Sequence, residues 1–127
     1  MHKKVIRTDQ APGAIGPYSQ AILAGHTLYC SGQIALEPST GVLIMGSIAE
    51  ETEQVMKHIW EFLAAADMGF ENIVKCSIFM SSMEHYTTVN EVYLSYFSDP
   101  LPAREAVAVK SLPRNVNVEI SVIAVKI

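Results

Sequence analysis

The stretch Pro102-Ala103-Arg104-Glu105-Ala106-Val107-Ala108-Val109 is an apolar run with an arginine at its entrance. Val107 and Val109 alternate with Ala106 and Ala108, and residues of this kind pack well on a pleated sheet, so the run reads as a strand. Pro100 and Pro102 lack a backbone N–H and stop any helix arriving from upstream. Arg104 therefore stands at a strand end, where a long cation can leave the core and face a cleft. Its guanidinium is a planar fork of donors that matches a carboxylate bidentately. The spacing makes Arg104 a candidate anchor for a small anion, with a surface or interface ion pair as the competing reading.

Upstream of this strand, Ser81-Ser82-Met83-Glu84 has the capping-box pattern and opens a helix with Tyr86, Val89, Tyr93, Tyr96 and Phe97 along one stripe. Ile73 to Met80 before it reads as a strand with apolar residues on both faces: Val74, Cys76, Ile78 and Met80 on one, Ile73 and Phe79 on the other. Ser47-Ile48-Ala49-Glu50 caps an earlier helix, whose face runs Ile48, Val55, Ile59, Phe62, Leu63, Ala66 and stops at Gly69. Nearer the N-terminus, Val5 and Ile6 suggest a short strand. Pro12, Gly13, Gly16 and Pro17 then shape a loop, and Tyr18 to Leu23 and Thr27 to Ile34 form a hairpin around Gly25. Gly32 inside the second of these strands marks a bulge or a close approach to the backbone. Downstream, the loop Ser111 to Asn115 leads to a last strand, Val116 to Val125.

The order ββ(β)-α-β-α-β-β predicts one α+β domain over residues 1–127, a mixed sheet with both helices on one face. The opposite sheet face is then bare. Because its strands carry apolar residues on that side too, a homo-oligomer is expected to cover them. The tyrosine stripe and Trp60 are assigned to the core.

Half of the 127 residues are hydrophobic and 17% are charged, which excludes disorder. The formal net charge of -4 argues against a nucleic-acid partner, which needs a basic face. Cys30 and Cys76 lie in apolar runs without CxxC spacing and read as reduced thiols of a cytoplasmic protein. The charged N-terminus has no signal-peptide pattern, and no apolar run nears the ~20 residues of a membrane helix. His2, His26, His58 and His85 are scattered, so no metal site is expected.

The polar residues in unusual places are few. Glu119 interrupts the apolar run Val116 to Val122. With Asn117 and Ser121 on its side, it is either solvated or, in an oligomer cleft, a general base. Tyr18 and Ser31 flank the Pro/Gly loop and the strand glycine. Asn90 is a mid-helix amide between apolar neighbours.

Five blocks carry a family resemblance: Ile15-Gly16-Pro17-Tyr18-Ser19-Gln20-Ala21, Tyr29-Cys30-Ser31-Gly32-Gln33-Ile34, Thr88-Val89-Asn90-Glu91-Val92-Tyr93, Pro102-Ala103-Arg104 and Val118-Glu119-Ile120. In order and spacing they resemble the RidA (YjgF, reactive intermediate deaminase) family over almost the whole chain. The resemblance implies a chorismate-mutase-like α+β fold assembled as a homotrimer with clefts between subunits. It implies hydrolysis of enamines and imines such as 2-aminoacrylate and 2-iminopropanoate, released by pyridoxal-phosphate-dependent dehydratases, to 2-oxo acids and ammonia without a cofactor. Carried over by position, Arg104 clamps the substrate carboxylate, helped by backbone N–H groups near Gly32 and Ala106. Glu119 activates the attacking water, Tyr18 and Ser31 orient water or imine nitrogen, and Asn90 lines the pocket. Ala106 stands where many bacterial members have cysteine, and Glu105 where a small residue is commoner. Glu105 is expected on the opposite strand face, but near a strand end it is a possible competitor for the guanidinium. A non-catalytic carboxylate-binding trimer and an endoribonuclease or translation inhibitor are the alternatives.

Overall fold

Local signals cut the chain where the hydrophobic pattern changes period. The computed structural model describes residues 2–127; Met1 lies outside the described residues. Strand β1 (Lys3–Ile6) is followed by the hairpin β2 (Ala21–Ala24) and β3 (Thr27–Gln33). Gly25 turns the hairpin at a φ of 61°, a left-handed conformation that costs a glycine little. Helix α1 (Ile48–Ala65) begins where the Ser47 side chain accepts a hydrogen bond from the Glu50 N–H at 3.1 Å. Then come β4 (Ile73–Met80), α2 (Tyr86–Leu94), β5 (Ala103–Ala108) and β6 (Val118–Val125).

The six strands make one mixed sheet in the order β1-β2-β3-β6-β4-β5. Only β4 and β5, joined through α2, run parallel; every other neighbouring pair is antiparallel. Helix α1 packs across β3 and β6 and along α2. Its stripe of Val55, Ile59, Phe62 and Leu63 is buried against Val118, Ile120, Val122 and Ala124 of β6. Each large side chain so buried contributes roughly 1.5–3 kcal/mol. The α+β architecture read from the sequence is the one observed.

Several local expectations are corrected. Trp60 is 49% exposed, on the side of α1 away from the sheet stripe, and is not core. Helix α1 ends at Ala65, and Asp67 takes the left-handed conformation (φ 57°) there, while Gly69 is extended. Helix α2 follows a 3-10 turn, Met83–His85, capped by Ser82, and Tyr96 and Phe97 lie beyond its end, stacked on Phe70. β5 stops one residue short of Val109, and β6 starts at Val118, two residues after Val116. An extra residue in β4 opposite β6 puts Ile73, with Cys76, on the helix side, and leaves Val74 45% exposed.

The second face of the sheet carries no helix. Val5, Ile22, Tyr29 and Ile123 align across it by strand pairing. One end is covered by the small cluster of Ile34, Leu36, Leu112 and Val116, against which Phe79 packs.

Candidate functional site

Strand alternation decides where the candidate residues point. Arg104 pairs with Cys76 in β4, whose side chain is buried on the helix side, and Arg104 turns the same way. There its Nη1 donates to Asn90 Oδ1 at 2.6 Å and its Nη2 to the Tyr86 hydroxyl at 2.8 Å. The guanidinium carbon also lies 5.6 Å and 5.0 Å from the ring centres of Tyr86 and Tyr93. Tyr86 and Asn90 stand four residues apart on α2, so one helical face supplies both acceptors.

These partners are neutral. Among the described residues Arg104 makes no ion pair; the pair present, Lys75 with Glu105 at 3.1 Å, lies on the other face. Glu105 also accepts from the Ser77 hydroxyl at 2.7 Å, and these contacts hold its carboxyl below the usual carboxylate range. It points away from the guanidinium and does not compete for it. Of the five donors of Arg104, the two bonds to α2 leave three. An uncompensated cation with free donors, held rigid by a helix, is what an anion anchor requires. Ala106, two residues on, lies in the same notch with Asn90 and Arg104.

The Tyr93 hydroxyl is buried beneath this notch and finds no well-formed hydrogen bond. The Cys76 thiol beside it is a weak partner. Burial raises the thiol's pKa above its ordinary value, with Tyr93 and Arg104 pulling weakly the other way. Cys76 is therefore a protonated thiol at neutral pH and no nucleophile.

Glu119 occupies the opposite face. It pairs with Phe79 and lies folded over Gly32, where a Cβ would come within 2.5 Å of Oε2 and 2.7 Å of Cδ. The Glu119 carboxylate thus occupies the space that a side chain at position 32 would take, and a larger residue there has to displace it. The strand bulges at the same point, because three steps along β3 from Cys30 to Gln33 match two along β6. Partial burial raises the Glu119 carboxyl pKa.

Glu119, Gly32 and Tyr18 share one cavity of ≈ 210 Å³. Its other walls are Pro12, Gly13, Ile15, Gln20, Gln33, Ile34, Leu36 and Pro113. Tyr18 is 50% exposed at its edge. Ser31 stands beside this group, but its hydroxyl donates to the Ser19 carbonyl at 2.7 Å, tying β3 to the loop. Gln20 secures the same loop by accepting from the Thr8 N–H and donating to the Thr8 and Pro12 carbonyls. Among the described residues no group of histidines, cysteines and carboxylates is arranged to hold a metal ion.

The candidate residues thus fall into two groups: Arg104, Asn90 and Ala106 on one face, and Tyr18, Ser31, Gly32 and Glu119 on the other. Strand β4 lies between β5 and β6, and three residues of β4 separate the two registers. At about 4.8 Å per strand and about 3.3 Å per residue, their Cα atoms stand roughly 14 Å apart. The sheet itself lies between the side chains. Sequence reasoning missed Tyr86, taken as core, although its i,i+4 relation to Asn90 was visible; it also missed the apolar cavity walls, which only the folded loop assembles.

The model of the family described as Endoribonuclease L-PSP matches residues 8–126. This chain belongs to the RidA family. It is 48% identical over 124 residues to a Mus musculus protein named 2-iminobutanoate/2-iminopropanoate deaminase, covering 98% of this chain and 92% of that one. The crystal structure of YyfA from Yersinia pestis, assigned to the Rid protein family, superposes with a TM-score of 0.95 at 44% identity, covering 98% and 100% of the two chains. A crystal structure of E. coli TdcF with bound serine matches with a TM-score of 0.92 at 34% identity, covering 98% and 99%. The RidA-family membership inferred from five short blocks therefore holds along the whole fold.

Proposed function

We propose that this chain hydrolyses 2-imino acids and their enamine tautomers to 2-oxo acids and ammonia, at sites shared between the subunits of a homotrimer. The observation that carries the reading is the division of the candidate residues into a free cationic anchor and a separate carboxylate cavity. Neither half is a complete site. The anchor lies on β5, an edge strand, and the cavity opens on the uncovered side of the sheet. A neighbouring copy that packs on that side brings its Arg104 toward the first copy's Glu119. A closed ring repeats this contact at every interface. The serine bound in the TdcF structure carries the carboxylate and α-nitrogen of a 2-imino acid.

In this arrangement Arg104 binds the substrate carboxylate with the donors that α2 leaves free, while Asn90 and Tyr86 hold its plane fixed. Glu119 removes a proton from a water molecule as that water attacks the imine carbon. That proton goes to the imine nitrogen to complete the carbinolamine. Glu119 then takes the proton of the new hydroxyl and delivers it to the nitrogen as the C–N bond breaks, so both water protons leave on ammonia and the 2-oxo acid remains. Tyr18 orients the water or the nitrogen from the cavity edge, and the Ser31 oxygen remains available only as an acceptor. An imine is electrophilic already, so positioning is the main demand on the protein.

Dehydratases dependent on pyridoxal phosphate are the source of such imines in this reading, and the buried free thiols Cys30 and Cys76 suit a cytoplasmic setting. No helix of the described residues is long and apolar enough to cross a membrane. Although the matching family model carries an endoribonuclease name, a net charge of -4 counts against binding RNA.

The test is subunit complementation. A dehydratase or amino-acid oxidase generates the imine, and 2-oxo acid release is followed. Arg104→Ala and Glu119→Ala proteins are each expected to be inactive. After mixed unfolding and reassembly, random pairing returns about a quarter of the sites to an intact Arg104–Glu119 pair and restores activity accordingly. Activity in either parent, or none in the mixture, overturns the shared site.

A further inference from the structure

We infer that His58 is a positioning residue for the candidate site. It ties the loop that walls the Glu119 cavity to helix α1, and through that wall it sets how tightly the substrate is held. This rests on the deaminase reading and adds to it a group that never touches the substrate. His58 lies on α1 and is 1% exposed. Its Nε2 stands 2.7 Å from the carbonyl oxygen of Leu36. A carbonyl only accepts, so Nε2 carries the ring proton and donates it. The amide nitrogen of Gln54 lies farther from the same atom, at 3.3 Å, and as a second donor does not compete for that proton. Burial lowers the pKa of the ring, against the weaker upward pull of the Leu36 bond and of Glu37, and keeps it in this neutral form at pH 7.

Residues 35–44 form the loop, closed by an antiparallel bridge between Leu36 and Leu43. The Glu37 N–H donates to the Val42 carbonyl and the Ile44 N–H to the Ala35 carbonyl, each at 2.8 Å. Among the described residues the His58 bond is the one hydrogen bond between α1 and this loop, and the one that the Leu36 carbonyl accepts. The Leu36 side chain belongs to the second cluster with Ile34, Leu112 and Val116 and to the cavity wall beside Glu119. One residue thus carries the tie to α1 on its carbonyl and the wall of the site on its side chain. Without the tie, that carbonyl is left buried and unpartnered, and the loop gives way to let it reach water. Binding then has to reorder the wall, which costs affinity while Arg104 and Glu119 stay in place.

The experiment compares wild type with His58→Leu, which removes the donor, and His58→Gln, whose amide nitrogen reaches as far as Nε2 and keeps it. Imine hydrolysis is followed as 2-oxo acid release, and binding of 2-oxobutanoate by calorimetry. His58→Leu is expected to raise KM and the 2-oxobutanoate Kd about tenfold, with kcat within about twofold of wild type. His58→Gln is expected to match wild type in all three. Amide exchange at Glu37 and Ile44 is expected to speed up in His58→Leu alone, with the β6 amides unchanged. An unchanged Kd in His58→Leu, equal weakening in both variants, or a fall in kcat with KM unchanged overturns the inference and leaves the deaminase reading intact. If wild type neither hydrolyses the imine nor binds 2-oxobutanoate, the deaminase reading fails and the exchange measurement tests the tie by itself. Faster exchange in His58→Leu but not in His58→Gln then supports His58 as the holder of the cavity wall, and equal exchange overturns it. Should His58→Leu fail to fold, His58→Met removes the same donor and takes its place in every measurement.

Discussion

At the scale of single residues, Glu119 is the group whose environment speaks most directly to chemistry. Burial against Gly32 favours its neutral form, so its carboxyl loses a proton at higher pH than a solvated glutamate. In the proposed mechanism the base form is the active one, so kcat/KM is expected to decline on the acid side with a midpoint above the ordinary ~4.3 of glutamate. Glu119→Gln is expected to lower kcat by about 10²- to 10⁴-fold and to remove that acid limb. An unchanged limb in the variant assigns it to another group. Stability follows the opposite sign. The folded-state pKa is raised, so the contribution of the protonated form is complete below the unfolded value and is lost as pH rises through the folded one.

Among elements, the entry to β6 shows how a helix fixes the strand that carries Glu119. Glu51 is fully buried on α1 and accepts from Asn117 N and Nδ2 at 2.8 Å and 3.0 Å and from Val118 N at 3.1 Å. These bonds set where β6 begins, one residue before Glu119. Replacing Glu51 with alanine strands buried donors and is expected to cost roughly 2–3 kcal/mol. Chemical denaturation at fixed protein concentration measures this as a lower midpoint with the slope retained. A midpoint within error of wild type means the strand entry is held by packing alone. From sequence, Glu51 was one more acid in the first turn of a helix. Asn117 was visible only as a polar neighbour of Glu119. Their pairing spans 66 residues, and no local pattern reports a contact of that length.

For the whole molecule, the expected consequence of a one-sided sheet is association. Val5, Ile22, Tyr29 and Ile123 form an apolar row on the side without helices. Sedimentation of the wild type is expected to give the mass of a trimer. Ile123→Asp, which puts a charge into the row, is expected to shift the protein toward monomer and to remove activity with it. A folded monomeric wild type that is fully active contradicts both the assembly and the shared site. A variant that stays trimeric places the interface elsewhere on the sheet.

The sequence by itself determined the α+β class, the order of elements and the polar residues out of place in apolar runs. Those signals are local: period two or 3.6, a capping serine, a proline, a charge among valines. It also determined the family, because five spaced blocks carry more information than any one residue. What only the tertiary structure decided is which face each residue takes and what it meets there. The bulge in β4 reversed Ile73 and Val74, and α1 turned Trp60 outward, because one inserted residue or a fraction of a helical turn changes a face without changing composition. Strand order likewise put β4 between Arg104 and Glu119. Strand pairing is set by packing of distant segments, so it is written in the sum of their contacts and in no single stretch of the chain.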